Sequence, residues 1–181
     1  MKIRSKLIVS VLVIACIVGS VIYAYSPQTT PPPSLIESLK TGASGAVFQA
    51  SFNDLTGKNQ ALAQWQGKVM IVNFWATWCP PCLAEIPGFI RLQNQYGTQG
   101  VQFIGIAIDR QNKVKTYAAE AGMNYPVLLG DLEGIDLARR TGNAQGGLPY
   151  TVIIDRSGNI VATHLGKLSH EKLEGMIKPL L

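Results

Sequence analysis

Cys79-Pro80-Pro81-Cys82 sets two thiols apart by two residues. A pair at that spacing can close a disulfide and reopen it, and the thiolate is the reactive species. The pair follows an apolar run, Val69 to Trp75, and opens a helix-like segment. That strand–turn–helix setting makes the spacing a specific signal for thiol–disulfide exchange. Cys79 falls at a helix N-terminus, where unpaired N–H groups and the helix dipole favour negative charge. It is expected to be the exposed nucleophile. Cys82, inside the first turn, is expected to be buried and to attack the mixed disulfide, releasing the partner. Pro80 and Pro81 offer no N–H to the Cys79 sulfur, which leaves Cys82 as the nearest backbone donor in the motif. Thiolate stabilisation is therefore expected to be moderate, which favours a reductant over a strong oxidant.

The remaining chemistry-bearing residues narrow the choices. The third cysteine, Cys16, lies in an N-terminal hydrophobic run, so Cys79 and Cys82 have no other thiol in the folded domain. They bond to each other or to a partner molecule. A zinc ribbon needs a second pair of ligands at matching spacing, and the sequence has none. His164 and His170 stand far from the pair in sequence and read as surface imidazoles. No metal and no cofactor is expected.

The stretch Asn73-Phe74-Trp75-Ala76-Thr77-Trp78-Cys79-Pro80-Pro81-Cys82-Leu83-Ala84-Glu85-Ile86-Pro87 resembles the active-site segment of the thioredoxin superfamily, and within it the membrane-anchored TlpA/ResA-type proteins. Gly147-Leu148-Pro149-Tyr150-Thr151 resembles the family's cis-proline loop, and the likeness runs from about Val47 to the C-terminus. The resemblance implies that Cys79 and Cys82 form a redox-active disulfide. It implies that Leu148, before a cis Pro149, offers its backbone to a substrate strand, and that Trp78 covers the disulfide edge beside that substrate site. Thioredoxins carry a buried aspartate where this chain has Asn73, and asparagine cannot move a proton. Glu85 matches the acidic residue of the TlpA/ResA type. A partly buried carboxylate there would have a raised pKa and could accept the Cys82 proton.

These residues need elements to hold them. Val69 to Trp75 reads as a buried strand, because it is apolar throughout. A helix from about Pro81 to Tyr96 should follow, kinked at Pro87. Phe48 to Ala63 reads as a hairpin region turning at Asp54 to Gly57. Further expectations are a strand over Val101 to Ile108, a helix over Lys113 to Ala121 ended by Gly122, a strand over Tyr125 to Leu129 and a helix over Gly134 to Thr141. Tyr150 to Asp155 and Ile160 to Leu165 flank a turn, and Ser169 should cap a last helix. The order implies an α/β sandwich with a mixed sheet, which matches the thioredoxin plan; the resemblance then implies an inserted helix–strand unit at about Lys113 to Gly130, since Cys82 to Pro149 is longer than in a minimal thioredoxin.

The front end reads differently. Leu7 to Tyr25 is almost unbroken apolar sequence without charge, preceded by Lys2, Arg4 and Lys6. Roughly 19 residues span about 30 Å as a helix, enough for a bilayer. Residues 1–25 are read as a cytoplasmic tip and membrane anchor with the domain outside. A cleaved signal segment and a lipidated Cys16 are the alternatives. Residues 26–45, with Pro27, Pro31, Pro32, Pro33, Gly42 and Gly45, read as an extended spacer, with one helical turn over Leu35 to Lys40 left open, and residues 46–181 as the thioredoxin-like domain. The net charge of +5 owes three positive residues to the N-terminal tip, and no basic cluster or aromatic-rich basic motif appears, which argues against nucleic acid.

The expected activity is therefore thiol–disulfide exchange on the extracytoplasmic face of a bacterial membrane. Reduction is the favoured direction. Resemblance implies cysteine-containing exported substrates, such as oxidised apocytochrome c, and a membrane electron donor of the DsbD/CcdA kind. An oxidase or isomerase, and a non-catalytic metal-delivery module, are the rival readings.

Overall fold

The computed structural model describes residues 35–181. The expected anchor and residues 26–34 of the expected spacer lie outside the described residues. Among those described, no helix is long and apolar enough to cross a membrane.

The chain forms α1 (Leu35–Gln49), β1 (Ser51–Asp54), β2 (Asn59–Ala61), β3 (Val69–Trp75), α2 (Pro80–Tyr96), β4 (Val101–Ala107), α3 (Gln111–Glu120), β5 (Val127–Leu129), α4 (Asp131–Arg140), β6 (Tyr150–Ile154), β7 (Ile160–Leu165) and α5 (His170–Ile177). The seven strands make one mixed sheet in the order β2-β1-β5-β4-β3-β6-β7. β3 runs parallel to β4 and antiparallel to β6. Every residue of β3 is buried, as its continuous apolar run requires of a central strand.

Alternation along β3 decides what lies on each face. Met70, Val72 and Phe74 enter a core with residues of α1 and α4. Val69 and Ile71 enter a second core with Phe89 and Leu92 of α2 and Leu173 and Ile177 of α5. Asn73 shares the α2 face by the same alternation. Trp75, at the end of that row, packs in a third cluster with Cys79, Cys82, Ile86 and Val114.

Several expected boundaries move. Residues 35–45, read as the end of the spacer, belong to α1, and Ser44 is buried with its Oγ accepting from the Ile160 N–H at 3.1 Å. The helix runs well beyond the single turn left open over Leu35 to Lys40; Gly42 and Gly45 weaken helix propensity, and contact of Ala46 and Val47 with the core outweighs it. Phe48 ends in that helix, and the hairpin begins at Ser51. α2 continues through Pro87 as one helix. Tyr125 precedes β5, buried against Phe103 with ring centroids 5.8 Å apart. α4 starts three residues earlier than expected, with Asp131 and Glu133 in its first turn, where the helix dipole favours acids. The inserted unit corresponds to α3 and β5, and β5 fills the sheet between β1 and β4. The β6–β7 turn carries Gly158 at φ +87°, and Ser169 caps α5 by accepting the Lys172 N–H.

Candidate active site

The two cysteines meet where β3 gives way to α2. Cys79 is the residue capping α2, Pro80 and Pro81 fill the first helical positions, and the Cys79–Cys82 disulfide is closed. Proline suits those positions, since its missing N–H would have no helical partner there. Cys82 is fully buried. Cys79 is also nearly covered, at 5% exposure, against the expectation of an exposed sulfur. The difference has a physical source: with the ring closed, the two sulfurs pack together in the cluster around Trp75 and Ile86. The N–H groups of Cys82 and Leu83 both donate to the Cys79 carbonyl, at 3.0 and 3.2 Å. The backbone donor that the sequence leaves for the sulfur is therefore spent on the Cys79 carbonyl.

Glu85 stands three residues beyond Cys82, on the same helix face. That face carries Cys82, Ile86, Phe89 and Leu92 into the core, so the carboxyl is carried in with them and is 3% exposed. Its Oε1 accepts from Asn73 Nδ2 at 2.7 Å, and its Oε2 accepts from the Leu168 backbone N–H at 2.9 Å. Asn73 is opposite Thr151 in the β3–β6 register, and its Nδ2 also donates to Thr151 Oγ1 at 3.1 Å. Burial pushes the Glu85 pKa up to about 7, and the Leu168 N–H, the Asn73 amide and the Lys167 charge hold it from rising further. A carboxyl of that pKa can take a proton near neutrality and return it.

The Leu148–Pro149 peptide bond is cis. Trp78 is 62% exposed, and with Leu148, Phe74 and Ile108 it borders a cavity of about 120 Å³. The segment between β3 and Cys79 is pinned by Asp109, whose Oδ2 accepts the Thr77 N–H at 3.1 Å and also the Thr77 hydroxyl, while Oδ1 accepts the Arg110 N–H at 2.7 Å. These bonds draw the Asp109 pKa down against the effect of its partial burial. Sequence reasoning missed Thr151, Leu168 and the Thr77–Asp109 bond. Thr151 was findable from the antiparallel register of β3 and β6; the other two depend on loop paths. His164 and His170 stay partly exposed on β7 and at the start of α5, and among the described residues no three metal-binding side chains come together.

The family model described as Redoxin matches residues 41–177. The thiol-disulfide oxidoreductase ResA of Bacillus thuringiensis (strain Al Hakam) is 32% identical over 145 residues, which is 80% of each chain. The chain belongs to the Redoxin family, among the TlpA/ResA-type thiol:disulfide oxidoreductases. A second ResA, from Bacillus thuringiensis subsp. konkukian, is 27% identical across 98% of both chains. A solved thiol:disulfide interchange protein of the thioredoxin family from Chlorobium tepidum TLS is 34% identical, covers 72% of this chain and 92% of its own, and superposes with a TM-score of 0.67. The chain is thus a thiol:disulfide oxidoreductase of this type, and it carries the Cys79–Cys82 disulfide.

Proposed function

We propose that this oxidoreductase works as a reductase of disulfides in exported proteins, on the extracytoplasmic side of a membrane to which residues 1–25 attach it. The observation that carries the direction is the use of the Cys82 and Leu83 N–H groups by the Cys79 carbonyl, with prolines at the two positions between the cysteines. A Cys79 thiolate without dedicated backbone donors is only moderately stabilised. A strong oxidant needs the opposite, a reduced form of unusual stability.

In the reductive direction the Cys79 thiolate attacks one sulfur of the substrate disulfide. The substrate S–S bond breaks, and its other sulfur leaves as a thiolate. Cys82 then gives its proton to Glu85 and attacks the Cys79 sulfur. The S–S bond between enzyme and substrate breaks, the Cys79–Cys82 bond forms, and the second substrate sulfur leaves. Two electrons pass to the substrate. A membrane dithiol donor of the DsbD/CcdA kind would restore the reduced pair, which an oxidising compartment would not do. Exported proteins with paired cysteines, oxidised apocytochrome c among them, are the substrates of this reading; the ResA relatives' name supports the thiol–disulfide exchange itself.

The test is the equilibrium of the pair with a glutathione buffer. The expected reduction potential lies between about −200 and −270 mV, in the range of glutaredoxins and thioredoxin; a value near about −120 mV would make the protein an oxidant and overturn the direction.

A further inference from the structure

The loop that leads into the cis proline is held by a residue outside the family motif. Asn143 follows α4 and is 3% exposed. Its backbone is fixed at both groups: its N–H donates to the Ala138 carbonyl at 2.9 Å, and its carbonyl accepts the Gly146 N–H at 3.1 Å. Its side-chain Nδ2 donates to the Gly147 carbonyl at 2.9 Å. Gly146 takes φ +67°, which lets the chain double back and bring Gly147 to Asn143.

Asn143 also borders the apolar cavity beside Trp78 and Leu148, and its Oδ1 is one of two buried side-chain polar atoms without a partner among the described residues. A buried unpaired oxygen is unfavourable. Leucine would suit the same apolar surroundings without it. The amide is accounted for by what its other end does.

That end sets the direction of one peptide plane. The Gly147–Leu148 peptide is planar and trans, so its C=O and N–H point opposite ways. With the Gly147 carbonyl held by Asn143, the Leu148 N–H is directed away from Asn143. Among the described residues it donates to no group, and the Leu148 carbonyl accepts from none. The residue before Pro149 therefore keeps both backbone groups available, in a fixed orientation.

We infer that Asn143 is a positioning residue for substrate recognition: by holding the Gly147 carbonyl it aims the Leu148 backbone at an extended segment of the disulfide-bearing polypeptide. The inference rests on the reading of Leu148 as a substrate contact. It assigns Asn143 no part in the chemistry at sulfur. Polypeptide disulfides, which have a backbone to pair with Leu148, are the substrates it favours over small disulfides, which have none.

The experiment uses the full-length chain in two arms. In the first, Asn143→Leu and the near-isosteric Asn143→Asp are compared with wild type on a disulfide-bridged peptide and on bis(2-hydroxyethyl) disulfide. Both variants lose the donor to Gly147, and either one suffices if the other does not fold. The expected result is a peptide-to-small-disulfide ratio of kcat/KM lowered about tenfold, mainly through KM. Equal losses on both substrates, or no loss, would overturn the role of Asn143. In the second arm, Cys82→Ala is trapped with the peptide as a mixed disulfide on Cys79, and exchange of the Leu148 amide hydrogen is followed. Slowing of exchange by about tenfold or more relative to the free protein supports the Leu148 contact. Unchanged exchange would overturn the contact and, with it, the inference, whereas slowed exchange with an unaltered substrate ratio overturns Asn143 alone.

Discussion

Glu85 is a carboxyl in the middle of a core-facing helix stripe, and its cost and its proposed use as a proton acceptor come from the same burial. Between the ordinary carboxylate range and about 7, the folded chain keeps a proton that the unfolded chain has released. Stability must therefore fall as pH rises through that window, by up to about 3 kcal/mol from this group. Urea unfolding of oxidised wild type and Glu85→Gln from pH 4 to 8 should show their difference declining across the window; a flat difference would mean that Glu85 is not a buried proton holder. The kinetic expectation follows from the same group. Glu85→Gln should slow release of the mixed disulfide by about 10²-fold near neutral pH, and the defect should shrink at high pH, where Cys82 ionises unaided. Matching pH–rate curves would remove Glu85 from the reaction. In the reduced protein, Cys79 should be alkylated faster than Cys82, because Cys79 is the residue of the pair that retains exposure. Much of this was legible in the sequence: the cysteines by spacing, and Glu85 by its place one turn from Cys82. The small exposure of Cys79 was not, because it depends on how Trp75 and Ile86 close around the sulfurs.

Elements place these residues, and the sequence showed the elements better than their ends. β3 and β7 have the expected bounds, since a run of buried or alternating apolar residues is visible without a partner. The continuation of α1 past Lys40 was hidden, because Gly42 and Gly45 weaken helix propensity and only contact with the core compensates. The segment between β3 and α2 depends on a strand end: Asp109 follows β4 and receives two bonds from Thr77. Replacing Asp109 by Ala should lower stability by about 1–3 kcal/mol, as hydrogen bonds to a charged group imply, and should raise the mobility of Trp78 in time-resolved fluorescence anisotropy. An unaltered anisotropy would mean that Asp109 does not order this loop. α5 offers a second check. Ser169 caps it immediately after Leu168, whose N–H holds Glu85. Ser169→Ala should cost about 1 kcal/mol in urea unfolding and should also displace the pH–rate profile, because the turn that supplies the Leu168 donor loosens. A stability loss with an unmoved profile would uncouple the cap from the active site.

At the scale of the whole molecule, the thioredoxin-like plan was legible from element order, and the inserted α3–β5 unit from the length between the cysteines and Pro149. The loop from α4 to Pro149 was not, because its path rests on Asn143 and Gly146, neither of which forms part of a periodic pattern. Under the proposed function the pair gives electrons to exported proteins. Differential alkylation of Cys79 and Cys82 in intact cells tests it most directly, with acid quenching before the membranes are opened. A reductase held ready by a membrane donor predicts a pair that is mostly reduced at steady state and turns oxidised when the donor is removed. A pair that is mostly oxidised in cells with the donor intact would contradict the claim.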